Sequence, residues 1–270
     1  MLCIGILISD ENGKLKYLKS LIFYGKTLDT QNFLAKLSVS KSSFYIFYVI
    51  GEILSLGIFV IVLVFPKLTK EIIKFLSLFG SSEKISSYET TILVLLCLII
   101  HIGRRLYECL FVSVYSPSTI HVAHFIMGIL HYTFLPLSVL STLSFEISNT
   151  LNFSQYLFFI SFICLNYLQN GVANDFANLR KEKNNKISDF NHKVCLNGLH
   201  KYICCPHFLY EILIYVTLYL ISDTRNLFYF LMFVITNQMI AAKTNQIWYR
   251  KKFHDDNQIA NRKALIPFIY

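Results

Sequence analysis

The stretch Phe44–Phe65, FYIFYVIGEILSLGIFVIVLVF, decides the fold: its only acidic or basic residue is Glu52. An apolar run of about 18 or more residues with so few charges is long enough to cross a bilayer as a helix. Similar runs follow outward along the chain. Thr90–Ile102 continues past Arg104 and Arg105 to Tyr115, and Ile120–Leu140, Phe153–Gln169, Phe208–Ile221 and Phe228–Ala242 come after it. The apolar fraction of 54% and mean hydropathy of +0.51 agree with this pattern. The expected fold is an all-α polytopic membrane helical bundle of about six spans over residues 44–270, with no room for a separate soluble domain. Residues 1–43 read as an N-terminal cytosolic segment. Leu2–Ile8 is too short to span and lacks the basic start of a signal peptide, so it reads as a remnant or incomplete first span.

The formal net charge of +9 raises the question of nucleic acid. The distribution of the charge answers it. Alternating the loops from Phe44 puts 20 basic residues on one face: Lys14 to Lys41, Arg104 and Arg105, Arg180 to Lys201, and Lys243 to Lys263. The other face has five: Lys67, Lys70, Lys74, Lys84 and Arg225. This is the positive-inside asymmetry of a membrane protein. It places the first face and the C-terminus in the cytosol and implies no nucleic-acid partner. Some of the positive charge can also hold an anionic cofactor.

Among seven cysteines, Cys195, Cys204 and Cys205 fall on the cytosolic side, where thiols stay reduced, so no structural disulfide is expected. His200 and His207 lie near them, but the paired Cys-x₂-Cys spacing of structural zinc sites is absent, and no metal is assigned.

Ionisable groups inside spans are costly and mark functional candidates. His101, Arg105 and Glu108 share one helical face by their spacing, with Arg104 and Tyr107 beside them. Glu108 can pair with either arginine. Asn166, Asn170, Asn174 and Asn178 recur every fourth residue beside Gln169. Such an amide ladder can glue helices together or line a polar cavity, and spacing leaves both readings open. Asn237, Gln238, Asn245 and Gln246 repeat the theme before Trp248 and Tyr249. Pro206 starts a helix on which His207 and Glu211 share a face, and the first turn of such a helix favours an anion. Tyr107, Glu108 and Glu52 are the candidates for a proton donor.

Arg104–Ser116, followed by Ile120–His121–Val122, resembles the steroid 5α-reductase family, in its polyprenol/polyprenal reductase branch. Phe23–Thr27 and Asn178–Lys181 look like the same branch. Gly198–Leu199, Tyr202, Pro206–Glu211, Trp248–Tyr249, Lys252–Phe253 and Arg262–Ile269 are similar to the wider family signature. The resemblance implies a seven-span enzyme of the endoplasmic reticulum membrane whose first span is missing here. It implies reduction of an activated carbon–carbon double bond with NADPH. It also implies that His207 and Glu211 contact the cofactor, that Asn178, Arg180, Asn237 and Tyr249 extend the pocket wall, and that Arg105 faces it. The cofactor-binding region would run from about 166 to 270. The steroid branch has a catalytic tyrosine where this chain has Ile102, and the polyprenol branch a histidine where this chain has Gln246. The expected function is NADPH-dependent reduction of polyprenal to dolichal, on a polyisoprenoid lipid substrate, in dolichol synthesis for protein N-glycosylation. Tyr107 and Glu108 are its catalytic candidates. Alternatives are an isoprenylcysteine methyltransferase-like enzyme or a degenerate, non-catalytic membrane protein.

Overall fold

The computed structural model describes residues 37–79, 85–147, 150–181, 190, 192–254, 259 and 261–270. Leu2–Ile8, Phe23–Thr27, the lysines from Lys14 to Lys36, and Lys84, Lys183 and Lys186 lie outside the described residues.

The fold is all-α. Among the described residues seven α-helices follow in order: α1 Tyr45–Val64, α2 Pro66–Ser77, α3 Tyr88–Tyr107, α4 Val122–Leu140, α5 Phe153–Asn178, α6 Pro206–Ser222 and α7 Arg225–Lys252. The opening run becomes α1 almost residue for residue. Phe47, Tyr48, Gly51, Ser55, Ile58 and Val62 turn inward. Ile53, Leu56, Val60 and Leu63 recur at helical spacing on an exposed apolar face. A helix with an exposed apolar side faces lipid, not water.

Among the described residues four helical segments are long and apolar enough to cross a membrane: Lys41–Val64, which contains α1, and α4, α5 and α7. The other two expected spans are α3 and the shorter α6. They form the centre of the bundle, where Val94, Leu95, Leu98, Ile214 and Leu218 are buried. The segment carrying Lys67, Lys70 and Lys74 is the amphipathic helix α2, started by Pro66.

Short backbone ties group the helix ends. Strands β1 (Ser38–Ser40) and β2 (Thr119–His121) pair antiparallel, with Val39 opposite Ile120. They join the starts of α1 and α4. His121 caps α4, its Nδ1 accepting from the Ala123 N–H. At the opposite end Ser86, just before α3, bonds to Thr142 and Ser144 after α4. There Gln155 of α5 also donates to Thr90 and to the Ile221 carbonyl of α6. The C-terminal tail returns to the first end, where Cys204 N–H donates to the Lys263 carbonyl. Arg104, Arg105, Arg180 and the tail therefore gather at one end, as the alternation of spans requires.

Candidate active site

α3 ends in a π-helical turn, Glu108–Val112, a wider coil that often marks a functional position. Just before it lies a buried polar network. Glu108 is fully buried and pairs with both Arg104 and Arg105, while Asn170 Nδ2 donates to its Oε1 at 2.8 Å. Arg104 also donates to Gln169 and, at 3.0 Å, to Asn166 Oδ1. His101 Nδ1 lies 3.0 Å from the same Asn166 oxygen, and its Nε2 lies 3.3 Å from Glu211 Oε1. Gln169 Nε2 donates to Glu211 Oε2 at 2.6 Å and to the His207 carbonyl at 3.0 Å. Arg105 Nη2 donates to the Tyr48 hydroxyl at 3.3 Å. Two cations face two carboxylates, and amides take up further positions, while Arg105 Nε is buried without a hydrogen-bond partner among the described residues. Such pairing is what makes buried charge tolerable in an apolar bundle.

The amide ladder thus divides its duties. Asn166 and Asn170 join α5 to α3, and Gln169 joins α5 to α6 while also lining the cavity. Asn174 bonds one turn back along α5, to Asn170.

A cavity of about 720 Å³ lies between these helices. That is within the usual range for small-molecule and cofactor sites. Arg105, Arg180, His207, Glu211, Asn237 and Tyr249 all line it. Asn178 is at the end of α5 and outside the lining, but it sets the Arg180 turn: Lys181 N–H donates to its carbonyl, and Arg180 donates to the Val114 carbonyl. Neither catalytic candidate lines the cavity. Tyr107 is 56% exposed with its ring 5.3 Å from Phe111, and Glu108 is enclosed by its two arginines. Glu52 packs beside Gly103, also outside the lining. Ile102 is fully buried in the core.

One side of the cavity is cationic: Arg180, Lys193 and Lys41 line it with Ser116 and Ser118. The other side is apolar, with Phe47, Met127, Phe233 and Val234. Among the lining residues that escaped the sequence reading are Tyr48, His131, Tyr132 and Tyr215. A signal existed for two of them. His131 is an ionisable group inside a span, and Tyr215 lies one turn beyond Glu211 on its face.

The residues present fit a nicotinamide dinucleotide. Cations and hydroxyls on one side suit phosphates. Glu211 is held by Gln169 and His101, yet each carboxylate oxygen has a second lone pair to accept a carboxamide N–H.

Gln246 lies outside the cavity lining. Its Nε2 donates to the Arg262 carbonyl at 2.7 Å and its Oε1 accepts from Lys243 Nζ at 3.0 Å. It therefore fastens the tail to α7. His200 and Arg262 are buried nearby. Burial, with the Arg262 cation second, pushes the His200 imidazole down to about 4. Burial also raises the Cys195 thiol above its ordinary value.

Comparison with known proteins agrees with this geometry. Residues 116–270 match the family model described as 3-oxo-5-alpha-steroid 4-dehydrogenase, which is more than half of the chain. A polyprenal reductase of Caenorhabditis elegans is 34% identical, over 94% of this chain and 88% of the relative. A polyprenal reductase of Danio rerio is 30% identical, over 92% and 86%. A polyprenal reductase of Homo sapiens is 30% identical over 66% of this chain and 59% of its own length. An all-helical bundle, a cavity with one cationic and one apolar side, and these matches lead to one conclusion: the chain belongs to the 3-oxo-5-alpha-steroid 4-dehydrogenase family of membrane oxidoreductases acting on carbon–carbon double bonds.

Proposed function

We propose that the protein reduces the α-isoprene double bond of long-chain polyprenal with NADPH, giving dolichal for dolichol synthesis and protein N-glycosylation. The observation that carries this reading is the two-sided cavity, cationic at Arg180 and Lys193 and apolar at Met127 and Phe233. The names of the relatives support the substrate class. In this reading residues 44–270 form the reductase domain, with the cofactor held mainly by residues of about 166–270. The protein resides in the endoplasmic reticulum membrane with its C-terminus in the cytosol, as the 20-to-5 basic asymmetry supports.

NADPH bound here supplies a hydride. Arg180 offers charge to a phosphate, and Glu211 accepts from the carboxamide and so orients the ring. Arg105, His207, Asn237 and Tyr249 complete the wall, and Asn178 supports Arg180 through the turn. The apolar side takes the isoprenoid chain and keeps water from it.

A hydride needs an electron-poor carbon. The double bond of polyprenol is not conjugated to an acceptor, whereas the aldehyde draws electron density from the β carbon of polyprenal. The preferred substrate is therefore polyprenal. Purified protein with NADPH should convert polyprenal and leave polyprenol unchanged. Direct turnover of polyprenol, with no oxidising partner present, overturns the reading.

A further inference from the structure

We propose that the Tyr215 hydroxyl meets the carbonyl oxygen of the unsaturated substrate, and that His131 positions it. This deepens the reading of the cavity as an enal reductase and rests on it.

The geometry begins on α6. His207, Glu211 and Tyr215 follow at intervals of four residues, so they share one face, and all three line the cavity. At 1.5 Å per residue, Tyr215 lies about 6 Å further along the helix axis than Glu211. The wall at that depth also carries Met127, Phe233 and Val234. A phenol hydroxyl in such surroundings is costly unless it is bonded. Its partner is His131 of α4, whose Nε2 lies 2.7 Å from the Tyr215 Oη.

The imidazole is itself held. Phe233 stacks on it at 5.4 Å, and Phe230 and Tyr132 approach edge-on at 5.4 and 5.0 Å. A ring fixed in this way orients the phenol. With Nε2–H donating to the phenol oxygen, the phenol proton is left to point into the cavity. Both residues are polar groups in membrane helices, where such groups persist for a purpose.

The chemistry uses this arrangement directly. The hydride supplied by the reduced nicotinamide forms a C–H bond at the β carbon. The π pair of the C=C bond moves toward the carbonyl carbon, and the C=O π pair moves onto oxygen. Tyr215 donates its hydrogen bond to that oxygen as the charge develops, while His131 donates to Tyr215. Donors aimed at developing charge in a water-poor site contribute strongly to rate. A water molecule then gives a proton to the α carbon and leaves as hydroxide, which a solvent proton neutralises; the carbonyl re-forms, and Tyr215 keeps its own proton throughout.

The test uses the full chain in lipid nanodiscs. A ten-carbon isoprenoid enal, labelled with ¹³C at the carbonyl, is bound with NADP⁺ so that no turnover occurs. Isotope-edited infrared difference spectra should show a carbonyl stretch lowered from its value in hydrocarbon. Tyr215→Phe should move it back. In turnover with polyprenal and NADPH, Tyr215→Phe should lower kcat roughly 100-fold with little change in KM. His131→Phe should lose as much, His131→Gln should recover part of the rate through its amide N–H, and Tyr215→Phe with His131→Phe should be no worse than Tyr215→Phe alone. The same carbonyl stretch in wild type and Tyr215→Phe overturns the assignment. So does full kcat in Tyr215→Phe, and full kcat in His131→Phe removes the positioning role. Should Tyr215→Phe fail to fold, an unshifted stretch in wild type is enough to overturn it. A wild-type protein that reduces no polyprenal overturns the functional reading instead, and the infrared shift still decides whether Tyr215 meets a carbonyl.

Discussion

Glu108 holds two guanidinium groups and accepts from an amide, all inside the bundle. Removing its charge leaves Arg104 and Arg105 under-compensated, and breaking a buried pair costs about 3–5 kcal/mol. Glu108→Gln should therefore lower the melting temperature before any question of catalysis arises; a variant as stable as wild type removes Glu108 from this structural role. Arg180 has a different task. If it meets the cofactor's 2′-phosphate, Arg180→Ala should reduce the preference for NADPH over NADH, and an unchanged ratio removes it from that role. His200 gives a pH prediction. Its imidazole lies near 6.5 when unperturbed and is pushed down to about 4 in the fold. Between those values the unfolded chain binds a proton that the folded chain refuses. Stability from this group is thus complete above about pH 6.5 and declines as pH falls toward 4. His200→Gln should flatten the melting temperature over that range, and an undiminished slope refutes the account. Residue spacing foretold the His101–Arg105–Glu108 face but not its partners, because a helical period says which side chains align and not which helix they meet. Glu211 and His101 are 110 positions apart, and only packing brings them to 3.3 Å. Tyr107 reads in the sequence as a catalytic candidate beside this face, but about 100° around the helix from Glu108 it is exposed and outside the cavity lining.

Elements carry the next set of consequences. α7 and the tail are fastened by Gln246, with Arg250 Nη2 adding a bond at 3.3 Å to the same Arg262 carbonyl. Gln246→Leu leaves a buried carbonyl with a weaker partner, at a cost of about 1–3 kcal/mol. The tail after Phe253 should then be cut faster by protease, and Gln246→His should protect it because a ring N–H can replace the amide donor. Equal cutting in Gln246→Leu and wild type shows that the tail is held elsewhere. α2 was missed in the sequence because its three lysines were counted as loop charge. Its apolar positions were nevertheless in register: Ile72, Ile73 and Leu76 pack on the core, while Leu68 and Phe75 are exposed. The central pair, α3 and α6, were legible as apolar runs. Their place inside a ring of neighbours was not, since hydropathy does not distinguish a protein-facing helix from a lipid-facing one.

The whole molecule has two ends, and their chemistry differs. The basic residues at the ends of α3, α5 and α7 gather where α1, α4 and α6 begin. A glycosylation tag placed between α2 and α3 should be modified in microsomes, and a tag after Tyr270 should not; the reverse pattern inverts the topology. The overall architecture was the most legible level, because a run such as Phe44–Phe65 has few other physical solutions. The two-sided cavity was the least legible, since its walls come from most of the bundle at once. One last feature concerns how the chain is made. The β1–β2 pairing closes a loop of some 80 residues, so neither strand finds its partner until synthesis has passed His121. The tail that bonds to Tyr202 and Cys204 leaves the ribosome after all of the helices α1 to α7. Loop closure must precede the contacts that reward it. A nascent chain therefore waits in the bilayer with Glu108 already beside its arginines, Glu211 arriving much later, and the cationic end of the cavity open until the tail has been made.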